Sequence, residues 1–440
     1  MYEELINAVR NDLIPSLGVT EPGSIAFAAA SAARALGGRV TRVKVRLNSC
    51  IYKNSFTCAV PGTDGMGCAL AAALGAVCGD PSKKLMSTEG ATNADIAEAK
   101  RLVEAGAATA ELIGISPDIL IEAEVETENG TAKAVVAGRH DRLVKLTVNG
   151  QEIPMADVES SAEAYEVKVS SYSLSELLNC VEGAEGLEFL SDAVKMNMAL
   201  YDEGKKQGLL ALTGARFITD EPCPSAEKFA ELLTCGAIEA RVRGASAPAM
   251  AITGSGSHGI LCTLPVFAAY VFSGVKTERD LHDDEPTLRR ALLLSCLITK
   301  YIKELSGLLS TACGCVLAGG TGAALGITYV LSKRLFPAAS RHELIERLTN
   351  ALSSMAASVT GMICHGGNTG CSLKAAVGVN MAFSAAEMAL AGQGAESVHG
   401  ILGHTPEETM RNMGRVAADM LPLESTIVDI MNCKAKQKLI

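Results

Sequence analysis

The sequence predicts an α+β protein. An N-terminal α+β lobe with antiparallel strands, residues 1–172, packs on a large all-α lobe, residues 173–440. Two observations carry this reading. Apolar residues alternate with polar ones in several short runs before Tyr172, and asparagine–glycine pairs separate some of them, as hairpins require. After Ser173 the apolar spacing becomes helical almost throughout. Composition agrees: the 440 residues are 48% hydrophobic and 20% charged, which excludes a disordered or fibrous chain. With no tryptophan and only 4% aromatics, the core is built from Ala, Leu, Ile, Val, Met and Gly. Small residues let helices approach closely, so tight helix packing is expected.

In chain order, a first helix is expected at Glu3–Ser16. A second starts at Thr20-Glu21-Pro22, where Thr caps, Glu complements the positive helix end and Pro fits the first turn. It stops at Gly37-Gly38. Val40–Leu47 alternates as a strand, Asn48–Asn54 reads as irregular, and Phe56–Val60 as a short strand. Helices follow at Gly67–Cys78 and Asp95–Gly106. Strands are expected at Ile119–Glu126, Thr131–Ala137, Leu143–Val148 and Tyr165–Ser171, and Ser173 caps a helix at Leu174–Val181.

The net charge of −10 argues against a nonspecific nucleic-acid binder. Ser310–Ser332 is long enough to suggest a membrane span, but its five glycines favour a buried helix. The first residues lack the basic flank and continuous apolar run of a signal peptide. A cytoplasmic protein with reduced thiols is expected, with no nucleic acid or membrane as partner and self-association into a homo-oligomer left open. Most of the fourteen cysteines are expected to fill the core as small apolar residues.

Three constellations can carry chemistry. Cys313-Gly314-Cys315 lies in one glycine-rich segment, and Cys364 and Cys371 bracket six residues that include three glycines. Such a loop can fold thiolates around one inorganic centre, an iron–sulfur cluster or zinc, or the cysteines are unliganded core residues. Gly254-Ser255-Gly256-Ser257-His258-Gly259 matches the dinucleotide fingerprint literally, with Asp280 about twenty residues on. The segment before Asp280 is polar and loop-like, so a dinucleotide site is rejected. The glycine loop can still present amides to an anion, with His258 beside it. Asn48, Lys53 and Asn54 stand on irregular backbone near Pro61-Gly62-Thr63; these types can hold a small polar molecule or form an ordinary surface loop.

Taken together, Gly18-Val19-Thr20-Glu21-Pro22, the Lys53-Asn54 loop, Gly254–Gly259, Ala312-Cys313-Gly314-Cys315 and Met362–Lys374 resemble the L-cysteine desulfidase family, related to the iron–sulfur L-serine dehydratase alpha chain. The resemblance implies a 4Fe–4S cluster on Cys313, Cys364 and Cys371, with Cys315 the competitor for the first position. The fourth iron stays open as a Lewis acid for a small amino-acid substrate, and no pyridoxal phosphate is needed. It also implies an N-terminal lobe whose loops bind substrate and an all-α lobe that carries the cluster cysteines. Thr20, Glu21, Asn48, Asn54, Ser255 and Ser257 become substrate-binding candidates; His258, Lys53 and Cys50 become catalytic candidates.

The chain departs from the family pattern at four places. Val19 stands where the family carries a cysteine, His365 where it carries Asp, Asn368 in place of a lysine, and Ser257 in place of Asn. The proton-transfer role then falls to Cys50 or Cys58, with Lys53 lowering the thiol pKa, or to His258 or His365. Cys433 is a candidate ligand for the open iron. The expected function is β-elimination from L-cysteine or L-serine. A cluster-containing sensor that has lost catalysis, and a structural zinc site on Cys313, Cys315, Cys364 and Cys371, are the alternatives.

Overall fold

The computed structural model describes residues 2–154, 167–216, 223, 225–273 and 285–436. Asp280, the residues before it back to 274, and most of the acidic run at 283–285 lie outside them, as do residues 165–166 of the last expected strand.

The molecule is α+β, as its patterning predicts. Six strands form one sheet in the order Ala108–Gly114, Val40–Asn48, Leu120–Thr127, Gly130–Ala137, Leu143–Val148 and Gln151–Glu152. The first pair is parallel and the rest are antiparallel. Register places Val43, Val45 and Leu47 opposite Val125, Ala123 and Ile121. All six are buried on one face, together with Ala132, Ala134 and Val136 of the next strand. That period of two is what makes the sheet bury one side. The helices Thr20–Leu36 and Cys68–Cys78 close this core. A Cβ on Gly75 would stand 2.2 Å from the carbonyl oxygen of Ala26, so only glycine permits this approach.

The second lobe is helical. Gly256–Phe272 and Thr321–Leu335 are buried almost all round, enclosed by Ala226–Val242, Glu285–Ser306, Arg341–Val359 and Gly370–Leu390. Cys315–Leu335 is long and apolar enough to cross a membrane, but 94% of its apolar window is buried inside the protein. Its apolarity is therefore used by the core.

Several expectations are corrected. The first helix ends at Arg10, and Ile14–Leu17 becomes a strand paired with Pro248–Ala251; this distant pairing overrides local helical spacing. Val19, not Thr20, is the N-cap residue of the second helix. Ser49–Ser55 is a short helix rather than irregular backbone. Phe56–Val60 forms no strand, only a single bridge between Ala59 and Met66. Within 165–171, the described part holds a 3-10 turn at Val169–Ser171. The strand Ala108–Gly114 has no counterpart in the sequence reading.

The lobes also exchange elements. Leu5 and Val9 of the first helix are buried in the core of the helical lobe, and the last described helix, Pro422–Lys436, packs on Ser49–Ser55.

Candidate metal centre

Two backbone hydrogen bonds join the cysteine segments. Cys313 N donates to Met362 O at 2.7 Å and Cys364 N to Thr311 O at 2.7 Å. Ala312 and Ile363 lie opposite each other in a single antiparallel bridge. The segments holding Cys313 and Cys364 are thus fixed side by side despite their separation in sequence. A π-helical turn, Cys315–Gly320, follows at once, a distortion often found at functional sites. The 364–371 loop then folds back on the first lobe. A Cβ on Gly367 would lie 2.7 Å from Asn54 O and 2.9 Å from Val19 Cγ1, so the loop can sit there only without a side chain.

The result is a cavity lined by Cys313, Cys315, Cys364 and Cys371, together with Glu21, Asn54, Ser255, Ser257 and His258. Cys313 and Cys315 lie 3.3 Å apart, sulfur to sulfur. The hydrogen bond from Cys315 holds the Cys313 thiol down, to about 6, and the same pairing with burial pushes Cys315 up. Cys371 is pushed up to about 12 by burial and by the neighbouring thiols.

His258 is buried, with Nδ1 2.7 Å from Thr253 Oγ1. That hydroxyl donates its one proton to Ile252 O at 2.7 Å, so it accepts from His258, and the ring proton sits on Nδ1. Among the described residues Nε2 has no hydrogen-bond partner, and it lies 2.7 Å from where a Cβ on Gly314 would stand, between the two paired cysteines. Burial, then the charges of Lys303 and Arg241, hold His258 well below its ordinary value. It is a neutral imidazole with an open acceptor facing the cavity.

Other candidates lie elsewhere. Lys53 does not line the cavity; its ammonium is 2.7 Å from Glu424 Oε2 and both side chains are fully buried. Cys50 is buried beside this pair, and burial pushes its thiol up despite Lys53, reversing the expected activation. Cys58 is likewise pushed up by burial, Arg241 opposing less strongly. Thr20 is buried and accepts from Arg241 at 3.0 Å. Asn48 donates to Ser116 O at 3.3 Å and holds that loop. His365 faces Asn368 of its own loop, and Cys433 is exposed on the last helix, outside the cavity lining. The glycine motif follows the strand Pro248–Ala251, which pairs antiparallel in a two-stranded sheet, a setting unlike a dinucleotide fold.

Three residues the sequence reading missed shape the site. Arg241 donates to Ser257 Oγ at 2.9 Å as well as to Thr20, joining the glycine loop to the first lobe. Glu424 accepts from Lys53 and, at 3.1 Å, from Thr311 Oγ1, two residues before Cys313. Lys303 lines the cavity with no motif to announce it.

The donor set fits an iron–sulfur cluster: soft sulfur ligands around one space, beside the buried cations Arg241 and Lys303 that offset thiolate charge. Among the described residues, no three Cys, His, Asp or Glu side chains come close enough to hold a single metal ion.

Fold and site together define an α+β protein with a thiol-lined cavity where its lobes meet and an imidazole at the edge. The family model of the serine dehydratase alpha chain matches residues 177–423. A UPF0597 protein of Clostridium botulinum is 37% identical over 437 residues, covering 97% of this chain and 98% of its own. One from Geobacter sulfurreducens is 32% identical with 98% of each chain covered, and one from Caldanaerobacter subterraneus 31% with 97% of each. The chain belongs to the serine dehydratase alpha chain family, a lyase-type enzyme family, and is similar along nearly its whole length to these UPF0597 proteins.

Proposed function

We propose that this protein is an iron–sulfur lyase that removes the β substituent of a small amino acid. L-Cysteine gives pyruvate, ammonia and sulfide; L-serine gives pyruvate and ammonia. The observation that carries this reading is the single cavity that receives Cys313, Cys315, Cys364 and Cys371 together with the bare Nε2 of His258. Cys313, Cys364 and Cys371 would hold a 4Fe–4S cluster, with Cys315 donating to Cys313 or taking its place. When bound, the cluster supplies a Lewis acid that eases departure of sulfide or water.

The remaining work belongs to the chain. His258 Nε2 accepts the Cα proton while Thr253 keeps the ring oriented. Glu21, held by Asn54 Nδ2 at 2.7 Å, presents a carboxylate to the substrate ammonium. Ser255 and Ser257 line the same cavity as hydrogen-bond partners, Ser257 fixed by Arg241. Proton and leaving group depart from adjacent carbons, and the resulting 2-aminoacrylate hydrolyses in water to pyruvate and ammonia.

The test is anaerobic purification with iron, sulfide and zinc analysis, followed by pyruvate release from L-cysteine and L-serine and 2-oxobutyrate release from L-threonine. Cluster-loaded protein that turns over none of them overturns the lyase reading and leaves a sensor; zinc without sulfide replaces the cluster. The variant H258Q is expected to lower kcat by about 10²–10⁴-fold with iron retained. The base must be unprotonated, so kcat/KM of the unaltered protein falls as pH drops through His258's lowered pKa. That acid limb therefore lies below the ordinary value of 6.5; a limb at 6.5 that H258Q does not remove rules His258 out.

A further inference from the structure

A second cavity of about 500 Å³ adjoins the sulfur-lined one, and Gly254, Lys303 and Leu308 belong to the walls of both. Its size falls within the usual range for small-molecule pockets, about 300–1,000 Å³. Lys303 stands at the neck. Its side chain is buried, 2% exposed, and among the described residues nothing donates to, accepts from or ion-pairs with its ammonium. Two other cations on this wall differ: Lys300 pairs with Asp12 at 3.4 Å and Arg139 with Asp141 at 3.2 Å, while Lys168 is exposed to solvent. A buried charge without a partner is costly, and such a group is kept where a ligand completes it.

Geometry says which part of a ligand. Lys303 Nζ is 3.1 Å, and His258 Nε2 2.7 Å, from the point a Cβ on Gly314 would occupy. The two nitrogens therefore face the same small volume. In an α-amino acid the carboxyl carbon is one bond, about 1.5 Å, from Cα. A carboxylate held by one nitrogen brings the Cα proton toward the other.

Resting on the lyase reading above, we propose that Lys303 is the carboxylate anchor of an amino-acid site entered through the larger cavity. The ammonium binds the α-carboxylate at the neck and sets Cα against His258. The chemical class admitted is a small α-amino acid; an amine without a carboxylate gains nothing from Lys303.

The experiment uses L-alanine, which has the carboxylate and ammonium but no leaving group, and L-alaninol, which lacks the carboxylate. Dissociation constants are measured by titration calorimetry on anaerobic, cluster-loaded wild type and K303M, with iron and sulfide content recorded. K303Q carries the same measurement if K303M does not fold. Wild type is expected to bind L-alanine in preference to L-alaninol, and the variant to lose roughly tenfold or more in L-alanine affinity, the scale of a charged hydrogen bond, with iron unchanged. The anchor is overturned if the variant binds L-alanine as wild type does, or if wild type does not bind it. It is also overturned if the variant loses iron and sulfide that wild type keeps, which assigns the ammonium to the thiolates. Wild type that binds L-alanine through Lys303 yet releases no pyruvate sinks the lyase reading alone. Turnover with unchanged alanine binding in K303M sinks the anchor alone.

Discussion

Two buried lysines divide this molecule into a closed region and an open one. Lys53 lies in a fully buried contact between the lobes, where Glu424 takes its ammonium and Thr311 and Cys50 stand beside the pair. Lys303 is equally hidden from solvent but opens onto two cavities with no partner among the described residues. Burial is the same and the remaining bonding capacity is opposite. The first arrangement spends its charge on holding the fold; the second leaves it for something that arrives from outside. Depth alone therefore says little about whether a charged side chain works in chemistry, and the inventory of its partners says much more.

The largest effect that tests this contrast is on stability. E424A removes one partner of a fully buried pair and leaves Lys53 stranded, which is expected to cost about 3–5 kcal/mol, read as a shift in the denaturant midpoint. The double variant K53M/E424L is expected to recover most of it; a single variant as stable as wild type breaks the comparison.

A smaller effect is the opposite pH response. Burial, opposed by the nearby thiols, brings Lys303 down to about 8 from 10.5. Between those values the unfolded chain binds more protons than the folded one, so this residue makes stability rise with pH there. For Lys53, burial is outweighed by Cys364, Cys50 and Glu424, and its value rises to about 12. Its contribution is complete below 10.5 and fades as pH climbs through about 12. Denaturation of wild type against K303M from pH 8 to 10.5 is expected to show the rising component only in wild type; parallel curves contradict the assignment.

The smallest effect is that of K303M at neutral pH. Removing an ammonium that has no hydrogen-bond or ion-pair partner among the described residues is expected to leave stability within about 1 kcal/mol of wild type, or to raise it. A loss as large as that of E424A means Lys303 holds the fold after all.

Much of the sheet was legible because a half-buried strand writes its period into the sequence, as in Val40–Leu47 and Thr131–Ala137. Ala108–Gly114 was missed because most of it is only half-buried or exposed, so no apolar alternation marks it. The cysteines could be picked out by their glycine-rich settings and family resemblance. Arg241, Lys303 and Glu424 could not. Each sits at an ordinary position in a long helical pattern, and its burial comes from elements far away in the chain. Lys53 misled for the complementary reason: its motif marked it, and a distant carboxylate took its charge.

The walls of the sulfur cavity come from Val19, Asn54, Arg241, His258, Cys313 and Cys371, so no short stretch of polypeptide encloses it. Contacts this distant in sequence are entropically expensive to close. A pocket assembled this way exists only once the lobes have met, so a cluster of the kind proposed would find its receptacle in the folded chain and only scattered thiols before it.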